Sequence, residues 1–394
     1  MKFADLAIHP ALLREIDARG YTDATPVQQA ILASDNAAGD LLVSSRTGSG
    51  KTIAFGLAVA PLLLTGDARR PVAEPPGPPR VLVVAPTREL ALQVARELSW
   101  LYHGTSARIT TCVGGMDIRR EQRALRDGAH IVVGTPGRLC DHLERKYLSL
   151  DRLSAVVLDE ADEMLDMGFK EELERILDAA PAERRTLMFS ATLPKGIEAL
   201  ARRYTKSPKR VQATSVEEPH ADIEYLVHMV APRERELCVV NVLRFHDAPS
   251  ALVFCATREA VFHLHAGLAE RGFATVALSG ELSQSERNRS LVAMRDGRAR
   301  VLVATDVAAR GLDLPSVALV VHADTPTDRI ALLHRSGRTG RAGKKGAAVV
   351  LVPIAARRRI ERLFADAGID AVPTPAPIAE QIRVLDQARL VEKI

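Results

Sequence analysis

Eight residues, Ser45-Arg46-Thr47-Gly48-Ser49-Gly50-Lys51-Thr52, restrict the fold most tightly, because apolar Leu41-Leu42-Val43 precedes them and helix-like Ile53-Ala54-Phe55-Gly56-Leu57 follows. Strand, glycine loop and helix in that order form a phosphate cradle, since backbone N–H groups and a helix N-terminus converge on an anion. Gly48, Ser49 and Gly50 would line the cradle. Lys51 would reach the β- and γ-phosphates of a nucleoside triphosphate, and the Thr52 hydroxyl would ligate Mg²⁺. Ser45 stands where the usual pattern has its first glycine.

A second stretch answers the first. Ala155-Val156-Val157-Leu158 runs straight into Asp159-Glu160-Ala161-Asp162, an apolar run ending in three carboxylates. It reads as a buried strand with acids at its C-terminal end, where open α/β sheets gather their sites. Acids there hold a cation, or they suit the dipole of a following helix. Beside the glycine loop they point to nucleotide hydrolysis.

The chain is 394 residues long, which suggests two or three domains, and 47% hydrophobic with 26% charged residues is ordinary globular composition. A net charge of +4 does not by itself require a polyanionic partner, so a nucleic-acid site must be argued locally. Cys112, Cys140, Cys238 and Cys255 lie far apart without a C-x-x-C pair, which argues against a zinc site or disulfide framework. They read as small buried hydrophobes of a reducing compartment. No run approaches the roughly 20 apolar residues of a membrane span, and the expected location is cytoplasmic.

Residues 1–40 look helical. Tyr21, Pro26 and Gln28 offer a clamp for a flat base, because a side-chain amide donates and accepts at once and suits the adenine edge. The same string is also a helix start, with Thr25 as cap and Pro26 at the first position. Residues 66–79 read as a proline-rich surface loop. Strands are expected at Val81–Val84, Ile131–Val133, Ala155–Leu158 and Thr186–Phe189, with helices such as Glu89–Leu101 between them. This alternation predicts an α/β fold with a mostly parallel sheet.

Short polar segments follow the strands: Pro86-Thr87-Arg88-Glu89-Leu90, Gly114-Gly115, Thr135-Pro136-Gly137-Arg138 and Ser190-Ala191-Thr192. Each alone reads as a turn or helix start. Together they would line one sheet edge with hydroxyls, backbone N–H groups and two arginines, the groups that fix a phosphodiester backbone without reading bases.

From residue 207 to 221 periodicity fades, and residues 212–220 read as a linker between domains at 1–211 and 221–372, with a tail at 373–394. Beyond the linker, strands are expected near Ala251–Phe254, Thr275–Leu278, Val301–Ala304, Ala318–Val321 and Ala347–Val352. Residues 81–90 align without gaps on residues 251–260 with five of ten positions identical, so two similar domains stand in tandem. The second lacks a glycine loop. It carries Thr305-Asp306 and His334-Arg335-Ser336-Gly337-Arg338-Thr339-Gly340-Arg341, in which the glycines argue for a loop leading into a turn. These arginines read as a solvated basic face or, if they face the glycine loop, Arg338 and Arg341 read as arginine fingers on a transferred phosphoryl group.

With these motifs in this order, the chain resembles the DEAD-box RNA helicases of superfamily 2 over residues 3–350, with Phe3 matching an isolated upstream aromatic. The resemblance implies two tandem RecA-like domains, each a mostly parallel sheet flanked by helices, using ATP and Mg²⁺. ATP-driven closure would grip single-stranded RNA and open short duplexes locally. Matching positions imply adenine contacts at Tyr21 and Gln28, phosphate contacts at Lys51 and Thr52, and a water-mediated Mg²⁺ contact at Asp159. Glu160 would orient the attacking water as base. Asp162, Ser190 and Thr192 would couple hydrolysis to unwinding, and Asp313 would meet the ribose. RNA contacts would fall to Thr87, Arg88, Gly115, Thr135, Arg138, Arg258, Gln284, Arg287 and Thr305. Alternatives are an ATP-controlled RNA clamp and a DNA translocase. The chain is expected to act as a monomer, without a membrane.

Three positions depart from the family pattern. Ser279 replaces the usual histidine before Gly280, and Ile330 and Leu332 stand where a glutamate and a tyrosine commonly precede His334-Arg335. These changes concern support contacts in the second domain.

Overall fold

The computed structural model describes residues 1–33, 39–45, 49–65, 72–212, 222–279, 282, 284–309, 317–340 and 345–392. The chain forms two units, Met1–Val216 and Glu217–Ile394.

The first unit holds strands β1 (Leu41–Ser44), β2 (Val81–Val84), β3 (Ile109–Cys112), β4 (Ile131–Gly134), β5 (Ala155–Leu158), β6 (Arg185–Ser190) and β7 (Lys209–Gln212). They form one seven-stranded sheet in the order β3-β4-β2-β5-β6-β1-β7, and every pairing among them is parallel. Its helices are α1 (Pro10–Ala18), α2 (Pro26–Leu32), α3 (Lys51–Val59), α4 (Arg88–Leu101), α5 (Ile118–Arg126), α6 (Pro136–Glu144), α7 (Ala161–Asp166), α8 (Lys170–Asp178) and α9 (Lys195–Tyr204).

Helices cover both faces of this sheet. Val81 and Val83 enter one core with Phe55, Leu98, Tyr102 and Phe189, while Leu82 and Val84 enter the opposite core with Leu139, Met164, Ile176 and Ile197. Side chains alternate across a strand, so a strand buried on both faces must be apolar throughout, and this is why the central strands read as unbroken apolar runs. Within the first core, Phe55 meets Phe189 edge-on at 5.4 Å, and the buried Tyr102 hydroxyl donates to the Gly56 carbonyl at 2.7 Å.

The second unit repeats the plan with β8 (Ile223–Val230), β9 (Ala251–Phe254), β10 (Thr275–Leu278), β11 (Val301–Ala304), β12 (Leu319–His322), β13 (Gly346–Pro353) and β14 (Val372–Pro373). Helices α10 (Arg235–His246), α11 (Arg258–Glu270), α12 (Gln284–Arg295), α13 (Asp306–Ala309), α14 (Arg329–Ser336), α15 (Arg357–Asp366) and α16 (Ala379–Glu392) complete it. The order β10-β11-β9-β12-β13-β8-β14 matches the first sheet position for position. The internal repeat read from residues 81–90 and 251–260 is therefore structural: β2 and β9 occupy the same place, and Thr87 and Thr257 cap the following helices in the same way.

Four strands are absent from the sequence expectations. β3, β7 and β14 are sheet edges, and β8 lies beside β14. Two residues of β3 are threonines, β7 is exposed at three of its four positions, and β8 mixes buried and exposed positions, so none presents an unbroken apolar run. The reading of fading periodicity from residue 207 is corrected by β7, which pairs with β1. Among the described residues no helix is long and apolar enough to cross a membrane. All four cysteines are free and buried, and burial pushes Cys238 up to about 11 and Cys255 up to about 12.

Candidate functional site

Parallel register puts the functional segments of the first unit at one edge. Cys112 pairs with Gly134, Val84 with both Gly134 and Leu158, Leu158 with Met188, and Ser44 with Ser190. The residues that follow these strands therefore leave the sheet side by side. Strand order then divides them, with Gly115, Thr135, Arg138, Thr87 and Arg88 after β3, β4 and β2, and Asp159–Asp162, Ser190, Thr192 and the glycine loop after β5, β6 and β1.

In the second group, Lys51 begins α3 behind Gly50, whose φ of +84° is open to glycine and strained for other residues. A Cβ at Gly50 would lie 2.5 Å from Nε2 of Gln28. Lys51 is buried, with Nζ 3.2 Å from Asp159 Oδ1 and 3.9 Å from Glu160 Oε1. Burial alone would lower the lysine pKa, but Asp159, Glu160 and Asp162 outweigh it and leave the value raised. The ammonium thus holds the place in which a cation would face these acids. The hydroxyls of Ser45 and Ser49 are buried without a hydrogen-bond partner among the described residues, and an anion in the glycine loop would offer them one. This donor and acceptor set fits a triphosphate with its divalent cation, and Lys51, Thr52 and Asp159 are the residues that would hold them.

Glu160 adopts φ 52° and ψ 53°, the left-handed region, between the end of β5 and the start of α7. A non-glycine residue there costs about 1–3 kcal/mol and is tolerated where surrounding structure imposes it, commonly at functional sites. Two residues on, Asp162 Oδ2 accepts from the Thr192 N–H at 2.9 Å and its hydroxyl at 2.8 Å. The Ser190 hydroxyl donates to the Thr192 carbonyl, and the Ser45 N–H donates to the Ser190 carbonyl at 3.2 Å. One chain of hydrogen bonds thereby joins the acidic segment, the β6 end and the root of the glycine loop.

Thr25 caps α2, and Gln28 completes a capping box by accepting from the Thr25 N–H at 2.8 Å through Oε1. Gln28 Nε2 donates to the Gly50 carbonyl at 3.1 Å, and the Thr25 hydroxyl donates to the Ser49 carbonyl at 2.9 Å. The helix-start reading is thus realised, and the same residues brace the glycine loop. Tyr21 is 45% exposed and its ring lies 6.2 Å from Trp100, over which the Arg19 guanidinium sits at 4.5 Å.

In the first group, the Thr87 hydroxyl caps α4 through the Leu90 N–H at 3.3 Å. The Thr135 side chain makes no capping bond at α6. Arg88 reaches the Gly114 carbonyl at 3.4 Å, and Arg138 reaches the Met116 carbonyl at 3.5 Å. Burial lowers the Arg88 pKa, with Arg138 adding to the shift and Glu89 and Glu121 opposing it.

In the second unit, Arg258 starts α11, Thr305 caps α13 through the Ala308 N–H at 3.3 Å, and Arg287 reaches the Ala308 carbonyl at 3.4 Å. Arg335 is the residue the sequence reading missed. It lies in the last turn of α14, and Arg338 follows in the turn beyond, so the loop expected across this motif is helical as far as Ser336. Arg335 is buried, paired with Asp306 through Nε at 2.6 Å and Nη2 at 2.7 Å, and bonded to the Asp324 carbonyl at 2.7 Å. An arginine adjoining the Thr305-Asp306 segment in a helix offered no sequence signal beyond its charge. Leu332, at a departure from the family pattern, is fully buried in the core of this unit. Gly48, Asp313, Arg341 and the Gln284 side chain lie outside the described residues.

A parallel sheet bearing a glycine loop, a buried lysine and strand-end acids defines a P-loop nucleoside triphosphatase, and a second copy of the sheet without the loop defines the two-unit form of that class. The comparisons narrow it further. A family model described as DEAD/DEAH box helicase matches residues 25–200, and one described as helicase conserved C-terminal domain matches residues 234–343. The ATP-dependent RNA helicase DbpA of Bacillus subtilis is 36% identical over 380 residues, which cover 96% of this chain and 78% of that protein. The DEAD-box ATP-dependent RNA helicase CshA of Bacillus cereus is 40% identical over 350 residues, which cover 89% of this chain and 65% of CshA. The structure of S. cerevisiae Dbp5 bound to RNA and ADP BeF3 aligns with a TM-score of 0.83 and 27% identity, covering 98% of this chain and 99% of that one. The chain belongs to the DEAD-box helicase family of superfamily 2, and its two sheets are the tandem RecA-like domains of that family.

Proposed function

We propose that the protein is an RNA-stimulated ATPase that couples hydrolysis to domain closure and to local, non-processive opening of short RNA duplexes. The observation that carries the reading is the hydrogen-bonded chain from Asp162 through Thr192 and Ser190 to Ser45, because it links the acid strand to the glycine loop. The names of DbpA and CshA support the substrate class.

Lys51 leaves the acids to bind the β- and γ-phosphates, and Glu160 orients and deprotonates the attacking water. Its strained backbone fixes the carboxylate before substrate arrives, so less reorganisation remains at the moment of reaction. Mg²⁺, held by Thr52 and through water by Asp159, would neutralise charge on the phosphates. Tyr21 stacks on the adenine, with Gln28 at its edge, and Asp313 meets the ribose. Arg338 and Arg341 act as the arginine fingers, and Asp162, Ser190 and Thr192 transmit the state of the nucleotide.

RNA lies along Thr87, Arg88, Gly115, Thr135 and Arg138 in one unit and Arg258, Gln284, Arg287 and Thr305 in the other. These groups suit phosphate and ribose, so recognition has little sequence preference. The 2′-hydroxyl lets a protein tell RNA from DNA, so single-stranded RNA should stimulate ATP hydrolysis well above matched DNA. Each added base-pair step costs about 1.4 kcal/mol, so strand separation should fall steeply with duplex length if opening is local. Equal stimulation by DNA, or separation indifferent to length, would put a translocase ahead of this reading.

A further inference from the structure

Beneath the proposed RNA edge lies a buried charged cluster that the ATPase reaction does not use. Glu121, on α5, is 5% exposed and takes three hydrogen bonds from two other elements. Its Oε1 accepts from the Val113 N–H at 2.9 Å, one residue before Gly114-Gly115. Its Oε2 accepts from Arg138 Nη1 at 2.8 Å and is 2.8 Å from His142 Nε2. Arg138 and His142 are four residues apart on α6 and therefore share a helix face. With the carboxylate ionised, His142 donates through Nε2, and its Nδ1 is buried without a hydrogen-bond partner among the described residues.

Cys112 lies close enough that Cys112, Glu121 and His142 could offer ligand atoms to one metal ion. The charges argue otherwise. The Arg138 guanidinium already supplies positive charge to Glu121 Oε2, and burial together with Glu121 pushes the Cys112 thiol up, away from the thiolate a metal needs.

A buried carboxylate in a protein interior is costly unless its acceptors are filled, and here filling them ties helix α6 to the backbone that follows β3. We propose that Glu121 is a positioning residue for RNA: it holds the Arg138 guanidinium and the backbone entering Gly114-Gly115 in the arrangement that meets the phosphodiester. The proposal rests on the reading of this strand edge as the RNA site. Arg138 Nη1 is held by Glu121 Oε2 and Nη2 by the Met116 carbonyl, and a guanidinium has five N–H groups, so three are left for phosphate.

The test is a double-variant cycle on the full chain, reading ATPase turnover against single-stranded RNA concentration. Glu121→Gln should raise the KM for RNA about tenfold, the scale of a lost charged hydrogen bond, with kcat at saturating RNA and the KM for ATP held. The double variant with Arg138→Ala should be no worse than Arg138→Ala alone. His142→Ala, which disturbs the same carboxylate away from the edge, should lower Tm without moving the KM for RNA. If Glu121→Gln does not fold, Glu121→Asp, which withdraws the charge by one methylene, takes its place. Multiplicative losses in the double variant, or an equal RNA defect in His142→Ala, would overturn the positioning role and leave one of packing. A wild-type KM for RNA in Arg138→Ala would remove the RNA edge itself. Stoichiometric zinc retained after dialysis against Zn²⁺ and washing, and lost in Cys112→Ser, would overturn the proposal in favour of a metal site.

Discussion

Thr192 donates twice to one oxygen of Asp162, through its backbone N–H at 2.9 Å and its hydroxyl at 2.8 Å, while Asp162 Oδ1 has no hydrogen-bond partner among the described residues. The bond joins residues 30 positions apart, one in the first turn of α7 after β5 and the other just beyond the end of the neighbouring strand β6. Thr192→Ala removes the hydroxyl bond and leaves the backbone bond in place. Strand separation per ATP should drop, since a hydrogen bond to a charged group contributes about 1.5–3 kcal/mol, while ATP hydrolysis should fall less because the backbone bond still holds the acid. An unchanged ratio of separation to hydrolysis would take the coupling role away from this pair.

Glu160 carries two separable properties, its carboxylate and its left-handed backbone. Glu160→Gln should keep ATP binding and lose about 10²–10⁴ in turnover, because an amide cannot accept the proton of the attacking water. Glu160→Ala and Glu160→Gly should both be inactive, with the glycine variant about 1 kcal/mol the more stable because it adopts positive φ freely. Thermal melts of the two variants check this, and alanine matching or exceeding glycine would show that the backbone is unstrained.

Gln28 has both a capping and a base-reading assignment, and nucleotide choice distinguishes them. Gln28→Ala loses the capping box and the bond to Gly50, costing about 1 kcal/mol of stability. If Gln28 also reads adenine, binding of ATP should weaken far more than binding of GTP. Equal weakening of the two would confine Gln28 to bracing the loop.

Burial, and then the nearby Arg335 charge, hold the His322 pKa well below its ordinary 6.5. Below pH 6.5 the unfolded chain binds a proton there that the folded chain refuses, so this contribution to stability is present above that pH and lost as pH falls toward the depressed value. His228 and His246 are lowered in the same unit, burial being the main cause for each. Acid should therefore destabilise the second unit, and His322→Gln should flatten the pH dependence of its melting below pH 6.5. An unchanged acid limb would show that His322 is not buried neutral.

Central strands were legible because burial on both faces demands apolar residues at every position, and the nucleotide motif was legible because its glycines, lysine and acids are close in sequence. The repeat of residues 81–90 at 251–260 further implied two sheets of one plan, as found. Edge strands β3, β7 and β14 carry no such demand, and tertiary pairing alone decided them. The same holds for side chains whose partners are distant in sequence. Gln28 meets Gly50, Arg335 turns inward to Asp306, and Glu121 gathers Val113, Arg138 and His142. A carboxylate or guanidinium in a sequence shows only its charge. Whether that charge faces solvent or is buried with partners depends on desolvation and hydrogen bonding, which exist only once the sheet has brought distant strand ends side by side.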